Sequence, residues 1–164
     1  MRTWLGPDHP AVDEAIERRT VRYRELAADG STVPRAVREA VRYAAERVPV
    51  AVVSGAARPE IEPVLEAAGL AGLLSVVVTA EDVPRGKPHP DGYLRALGLL
   101  DELLDGGLVA ADVLVFEGTE AGIAAARAAG MRCVAVLGTL APERLAAADE
   151  LVPVLDADLM RRAL

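Results

Sequence analysis

The sequence predicts an α/β domain built on a doubly wound, mainly parallel sheet, and two observations carry that prediction. From about Pro49 onward, short runs rich in Val, Ala and Leu alternate with longer runs of helical spacing; strands that alternate with helices in this way pair in parallel and carry helices on both faces. The short runs are apolar at nearly every position rather than at every second one, which marks strands covered on both sides. The chain has 164 residues, 52% of them hydrophobic and only 3% aromatic. That is one domain's length with an aliphatic core.

Taken in order, Gly6-Pro7 is followed by Asp8, which caps a helix predicted from about Pro10 to Ala28 with Val12, Ile16, Tyr23 and Leu26 at helical spacing. Asp29-Gly30-Ser31-Thr32 breaks it, and Thr32 with Pro34 opens a second helix through Arg47 whose apolar face is Val37, Val41, Ala44 and Val48. These two helices precede the alternation and read as a separate helical layer. The first strand is predicted at Pro49 to Ser54. There follow a helix from Pro59 to Ala68 stopped by Gly69, a strand from Leu74 to Thr79, and a helix from Asp91 to about Leu104 stopped near Gly106-Gly107. Val113 to Phe116 is a third strand, Glu120 to Ala129 a helix ended by Gly130, and Cys133 to Leu137 a fourth strand. Pro142 to Ala148 is a short helix, Leu151 to Leu155 a last strand, and a closing helix starts at Asp156.

Composition excludes several classes of function. A net charge of −7 with no basic stripe argues against nucleic-acid binding. The single cysteine, Cys133, lies among Val134, Ala135 and Val136 and reads as a core residue; it rules out an internal disulfide or a cysteine zinc cluster. No apolar run reaches the ~18 residues of a membrane span, and the first six residues do not form a signal peptide. A soluble cytoplasmic protein is expected.

The stretch that could carry chemistry is Arg85-Gly86-Lys87-Pro88-His89-Pro90, where prolines fix φ around Lys87 and Gly86 is expected to turn the chain before it. It joins a strand to a helix. In parallel sheets that edge binds ligands, and a fixed ammonium there suits an anion, phosphate first. Two further strand ends share the edge. Ser54-Gly55-Ala56 offers a hydroxyl and, at Gly55, close backbone approach to a phosphoryl oxygen. Glu117-Gly118-Thr119-Glu120 places Glu117 at the end of an apolar strand, where a carboxylate faces a site, a metal or a helix N-terminus; Glu120, in the first helical turn, is explained by the helix dipole.

Together, Val52-Val53-Ser54-Gly55, the segment from Arg85 to Asp91, and the segment from Val115 to Thr119 leading into Ala121–Met131 resemble the haloacid dehalogenase-like hydrolases, in the branch of phosphoglycolate phosphatases and β-phosphoglucomutases. The resemblance covers about Thr32 to Leu155. It implies a Rossmann-type core from residue 33 to 164, with residues 1–32 a remnant of the helical cap, whose end would be the helices between Pro10 and Arg47. It implies phosphate monoester hydrolysis or phosphoryl transfer on a small phosphorylated metabolite, with Mg²⁺ as cofactor. Ser54 would bind the transferring phosphoryl group together with Gly55, Lys87 would neutralise nucleophile and phosphate as the catalytic lysine, and Glu117 would be an acidic residue near the Mg²⁺.

The sequence also departs from the family pattern. No Asp-x-Asp-x-Thr segment follows an apolar strand, so the nucleophile and its acid–base partner are absent from these 164 residues, and the chain reads as an N-terminally shortened, inactive version. Gly118 stands where the branch usually has a metal-binding aspartate, and Glu117 alone would hold Mg²⁺ weakly. The absent strand belongs in the middle of the sheet. Its neighbours at Pro49–Ser54 and Val113–Phe116 must then pair directly, take a strand from elsewhere, or leave backbone groups unpaired. Met1 to Leu5 is a poor candidate because of Arg2 and Thr3, and a homodimer could complete the sheet in trans. A non-catalytic phosphate-binding or regulatory relative is the second reading. A generic nucleotide-binding module is weaker, since neither Gly-x-Gly-x-x-Gly nor Gly-x-x-x-x-Gly-Lys-Ser/Thr occurs.

Overall fold

The computed structural model describes residues 29–164 together with Glu14, Arg18, Val21, Arg22 and Glu25, which are helical and exposed. The rest of the expected first helix, Asp8 and the segment Met1 to Leu5 lie outside the described residues. Where the Val-rich runs were expected, five short strands form among the described residues: β1 Ala51–Val53, β2 Val76–Val78, β3 Leu114–Glu117, β4 Arg132–Val136 and β5 Glu150–Val152. The helices are α1 Arg35–Ala45, α2 Arg58–Ala67, α3 Asp91–Leu103, α4 Glu120–Ala128 and α5 Ala157–Ala163. Every strand pairing is parallel, with Val52 beside Val77, Val115 beside Cys133 and Ala135 beside Leu151. The segment expected as a helix from Pro142 is a single 3-10 turn, Pro142–Leu145.

Alternation along each strand sorts its side chains onto two faces. On one face, Ala40 and Ala44 of α1 pack with Val134, Val152, Leu159 and Met160, and Leu65 of α2, with Ala68, which caps that helix, covers Val52 and Val77. On the other, Ala96 and Leu100 of α3 cover Val76 and Val78, while Ile123, Ala125 and Ala126 of α4 pack on Val115, Cys133 and Ala135. Helix α1 is thus part of the layer that covers the sheet, rather than of a separate one. Cys133 is fully buried. Burial pushes its thiol up to about 11, so it is inert core, as its neighbours in sequence suggest.

The sheet is split. β1 and β2 form one ladder and β3, β4 and β5 another, with no hydrogen-bonded pairing between β1 and β3. A cavity of about 520 Å³ separates the two parts. Its side walls are β1 and β3, and its faces are α1 and α5 on one side and α3 on the other. Of the three outcomes open to the sequence, direct pairing of β1 with β3 is therefore excluded.

Candidate active site at the carboxyl edge

The three strand-end motifs meet. The loop carrying Lys87 is held by a two-point clamp that straddles it: Arg85 donates to both carboxylate oxygens of Asp91, at 2.9 and 2.8 Å, and the His89 amide donates to the Gly86 carbonyl at 3.1 Å. The Lys87–Pro88 peptide bond is cis. Gly86 does not have a positive φ, and a side chain there would meet nothing, so the turn does not require glycine at that position. The clamp and the prolines aim Lys87 back across the sheet edge. Its ammonium donates to the Val53 carbonyl at 3.0 Å and to Oε1 of Glu117, and lies 5.0 Å from the Tyr93 ring centroid.

Glu117, whose side chain is only 10% exposed, is the hub. Its Oε1 also accepts from the Tyr93 hydroxyl at 2.7 Å, and its Oε2 accepts from the Gly118 amide and the Thr119 hydroxyl, each at 3.1 Å. The Thr119 hydroxyl in turn accepts from the Gly122 amide at 3.0 Å, capping α4. Burial acts to raise the glutamate's pKa; the charge and hydrogen bond of Lys87, with bonds from Tyr93 and Gly118, outweigh it and hold the carboxyl below its ordinary value. Burial and the Glu117 charge push the Tyr93 phenol far up, so it stays a neutral donor. Gly122 is required by contact: a Cβ there would lie 1.9 Å from the Glu117 carboxyl carbon. At Gly92, a Cβ would lie 2.8 Å from Val53, so glycine lets the start of α3 close onto β1.

Ser54 directly follows the carbonyl that Lys87 holds. Its amide pairs with Val78, and its hydroxyl accepts from the Ala56 amide at 3.1 Å, shaping the turn while keeping its own proton to donate. Gly55 is exposed and faces open space. Other carboxylates are committed elsewhere. Asp82 accepts from the amide and hydroxyl of fully buried Thr79 and from Arg58 at 2.7 Å, Asp112 sits at the opposite, amino edge of β3, and Glu120 pairs with Arg144 at 3.1 Å.

Both Glu117 oxygens accept from protein donors, with Lys87 as counter-ion. Among the described residues no three His, Cys, Asp or Glu side chains group as a metal site. As placed, the residues do not fit a Mg²⁺ ion, which needs near-octahedral oxygen ligation. Sequence reasoning missed Tyr93 and Thr119. The signals were present: Tyr93 lies in the first turn of the helix opened by the lysine loop, and Thr119 lies two residues beyond the glutamate.

The carboxyl edge of this parallel α/β sheet thus holds a fixed lysine, a hydroxyl-bearing turn and a buried glutamate side by side. The profile of the haloacid dehalogenase-like hydrolases matches residues 3–130, and the chain belongs to that family. Among curated relatives, it is 42% identical over 106 residues to the validoxylamine A 7'-phosphate phosphatase of Streptomyces hygroscopicus subsp. limoneus, covering 65% of this chain and 47% of the relative. It is 34% identical over 134 residues to the phosphoglycolate phosphatase of Pectobacterium atrosepticum, covering 80% and 55%. Of solved structures, CbbY from Rhodobacter sphaeroides in complex with phosphate superposes with a TM-score of 0.74 at 25% identity, over 92% of this chain and 67% of that one. A variant of CbbY in complex with xylulose-(1,5)bisphosphate gives 0.75 at 26%, with the same coverage. The chain spans about half the length of the curated relatives it matches. Among the described residues no helix is long and apolar enough to cross a membrane.

Proposed function

We propose that this chain is the phosphate-binding core of a haloacid dehalogenase-type phosphohydrolase that acts on a small phosphorylated metabolite in the cytoplasm, and that the 164 residues do not turn over phosphate esters unaided. The observation that carries the reading is the placement of Lys87. Two of its three N–H bonds go to Val53 and Glu117, and the third is left for an anion at the strand edge. Ser54 has a hydroxyl proton to give on the same edge, and the Gly55 turn leaves room for a phosphoryl oxygen. Because Glu117 balances the lysine's charge, the affinity for free phosphate is weak, in the ~mM range. The relatives, phosphatases of validoxylamine A 7'-phosphate and of phosphoglycolate, support a phosphate monoester as substrate class.

Turnover requires more than this edge supplies. In-line displacement depends on a nucleophile positioned at phosphorus and on stabilisation of the developing charge. Glu117 accepts from four donors, on Lys87, Tyr93, Gly118 and Thr119, His89 is exposed in its loop, and Asp82 and Asp112 are committed elsewhere. Mg²⁺, the family's expected cofactor, would need carboxylates beyond Glu117. The second reading, a non-catalytic phosphate-binding relative, is favoured by one observation: Gly118 supplies no carboxylate beside Glu117. Assay of the purified chain with Mg²⁺ and p-nitrophenyl phosphate should show no turnover above buffer. Turnover abolished by Lys87→Met would refute the proposal of inactivity.

A further inference from the structure

We infer that Glu81 is a positioning residue for the phosphate site: it touches no anion itself, but holds the turn from Ser54 to Arg58 in the shape that leaves the Gly55 amide open beside the Ser54 hydroxyl. The inference rests on the phosphate reading above and names the part of the chain that sets the geometry of that site.

The turn cannot set its own shape. Helix α2 starts after Ala57, which stands at the N-cap and has no side-chain oxygen for the first helical amides, where Ser, Thr, Asp or Asn would ordinarily serve. The acceptor comes from 23 residues away in the chain: both carboxylate oxygens of Glu81 take the Arg58 amide, at 3.3 and 3.1 Å. The Ala80 amide adds a second strut by donating to the Ala56 carbonyl at 3.1 Å. Together these tie the turn after β1 to the turn after β2.

The amides of the turn can be followed one by one. That of Ser54 pairs with the Val78 carbonyl at 2.9 Å, that of Ala56 with the Ser54 hydroxyl oxygen at 3.1 Å, that of Ala57 with Glu60 at 3.1 Å and that of Arg58 with Glu81. The Gly55 amide has no partner among the described residues, and a side chain there would meet nothing within 4 Å. Glu81 is held in its turn by a second set of contacts. Fully buried Thr79 donates its amide and hydroxyl to Oδ2 of Asp82 at 2.7 and 2.8 Å, and the Arg58 guanidinium reaches the same oxygen at 2.7 Å. Arg58 therefore grips the clamp with its side chain while the clamp grips Arg58 by its backbone. Because the charge on Glu81 repels an anion, placement and charge predict opposite outcomes when the residue is changed.

The test titrates inorganic phosphate, without metal, into the 164-residue wild type, Glu81→Ala and Glu81→Gln, and follows the Gly55 and Arg58 amide resonances and their hydrogen exchange. In the wild type the Gly55 resonance should shift saturably. Glu81→Ala should bind phosphate at least ~3-fold more weakly and exchange its Arg58 amide at least ~10-fold faster, with the helical circular dichroism retained because Glu81 is exposed. Glu81→Gln keeps an oxygen that accepts from the Arg58 amide, and it should recover most of the affinity. Equal binding by all three proteins would overturn the inference, as would equal weakening in both variants. Tighter binding in both would also overturn it and mark Glu81 as a repelling charge only. A wild type that binds phosphate without moving the Gly55 resonance would overturn it by placing the anion elsewhere. A wild type that binds no phosphate would overturn the phosphate reading itself, and this inference with it.

Discussion

The carboxyl edge at Glu117 and the slot behind it share the same two strands, yet they settle their polar groups in opposite ways. At the edge, Glu117, Lys87, Tyr93 and Thr119 answer one another, and among the described residues no buried side-chain polar atom lacks a partner. A few ångströms of strand further back, β1 and β3 face each other across about 520 Å³ with no ladder between them. The difference teaches where each region's stability comes from. The edge is closed by local contacts within two loops and a helix start, and needs no partner strand. The slot can be closed only by backbone that lies between two distant parts of the chain.

The largest effect that would break this contrast is loss of one member of the edge pair. Lys87→Ala or Glu117→Ala should each cost about 3 kcal/mol in urea unfolding at pH 7, since each strands a mostly buried charge. The double variant Lys87→Met/Glu117→Gln should recover much of that. If either single variant is neutral, the edge is not the self-sufficient cluster described. Next is Gly122→Ala, which drives a methyl into the Glu117 carboxylate and should cost ~1–3 kcal/mol by the same measurement.

A smaller effect comes from pH. Glu117 has its carboxyl lowered from 4.5 on folding. A carboxylate with a depressed folded pKa adds stability that is present above its unfolded value and is lost as pH falls through the folded one. The stability gap between wild type and Glu117→Gln should therefore be flat above about pH 5 and shrink below that. A gap that grows on acidification would reverse the assignment. Smallest is Gly118→Asp. A Cβ at this position meets only ordinary contacts, at 3.7 Å from Thr139 and Val136, and its φ is not positive, so stability should change by about 0.5 kcal/mol or less. Any new Mg²⁺-dependent rise in melting temperature would assign the poor metal fit to this glycine.

Most of the fold was legible because its signals are local. Apolar Val runs with Gly69, Gly130 and the Asp91 start placed strands and helices to within a few residues, and the strand ends alone brought Ser54, Lys87 and Glu117 together. The parts that were not legible depend on long-range geometry. Pro142 to Ala148 has helical composition but packs Leu145 into the core after one 3-10 turn. Gly86 suggests a glycine-dependent turn before the lysine, while the loop is closed by the Arg85 clamp on Asp91 and a side chain at Gly86 would meet nothing. Tyr93 as a partner of Glu117 depends on how closely α3 approaches β1, which Gly92 sets and no periodicity reveals.

The central claim is that Lys87 makes this sheet edge a phosphate site in the chain as it stands. It is tested most directly by titrating inorganic phosphate, without metal, into the wild type and into Lys87→Met/Glu117→Gln, whose paired neutral side chains preserve the fold. The account predicts ~mM binding that weakens at least ~10-fold in the double variant. Equal binding by the two proteins would contradict it.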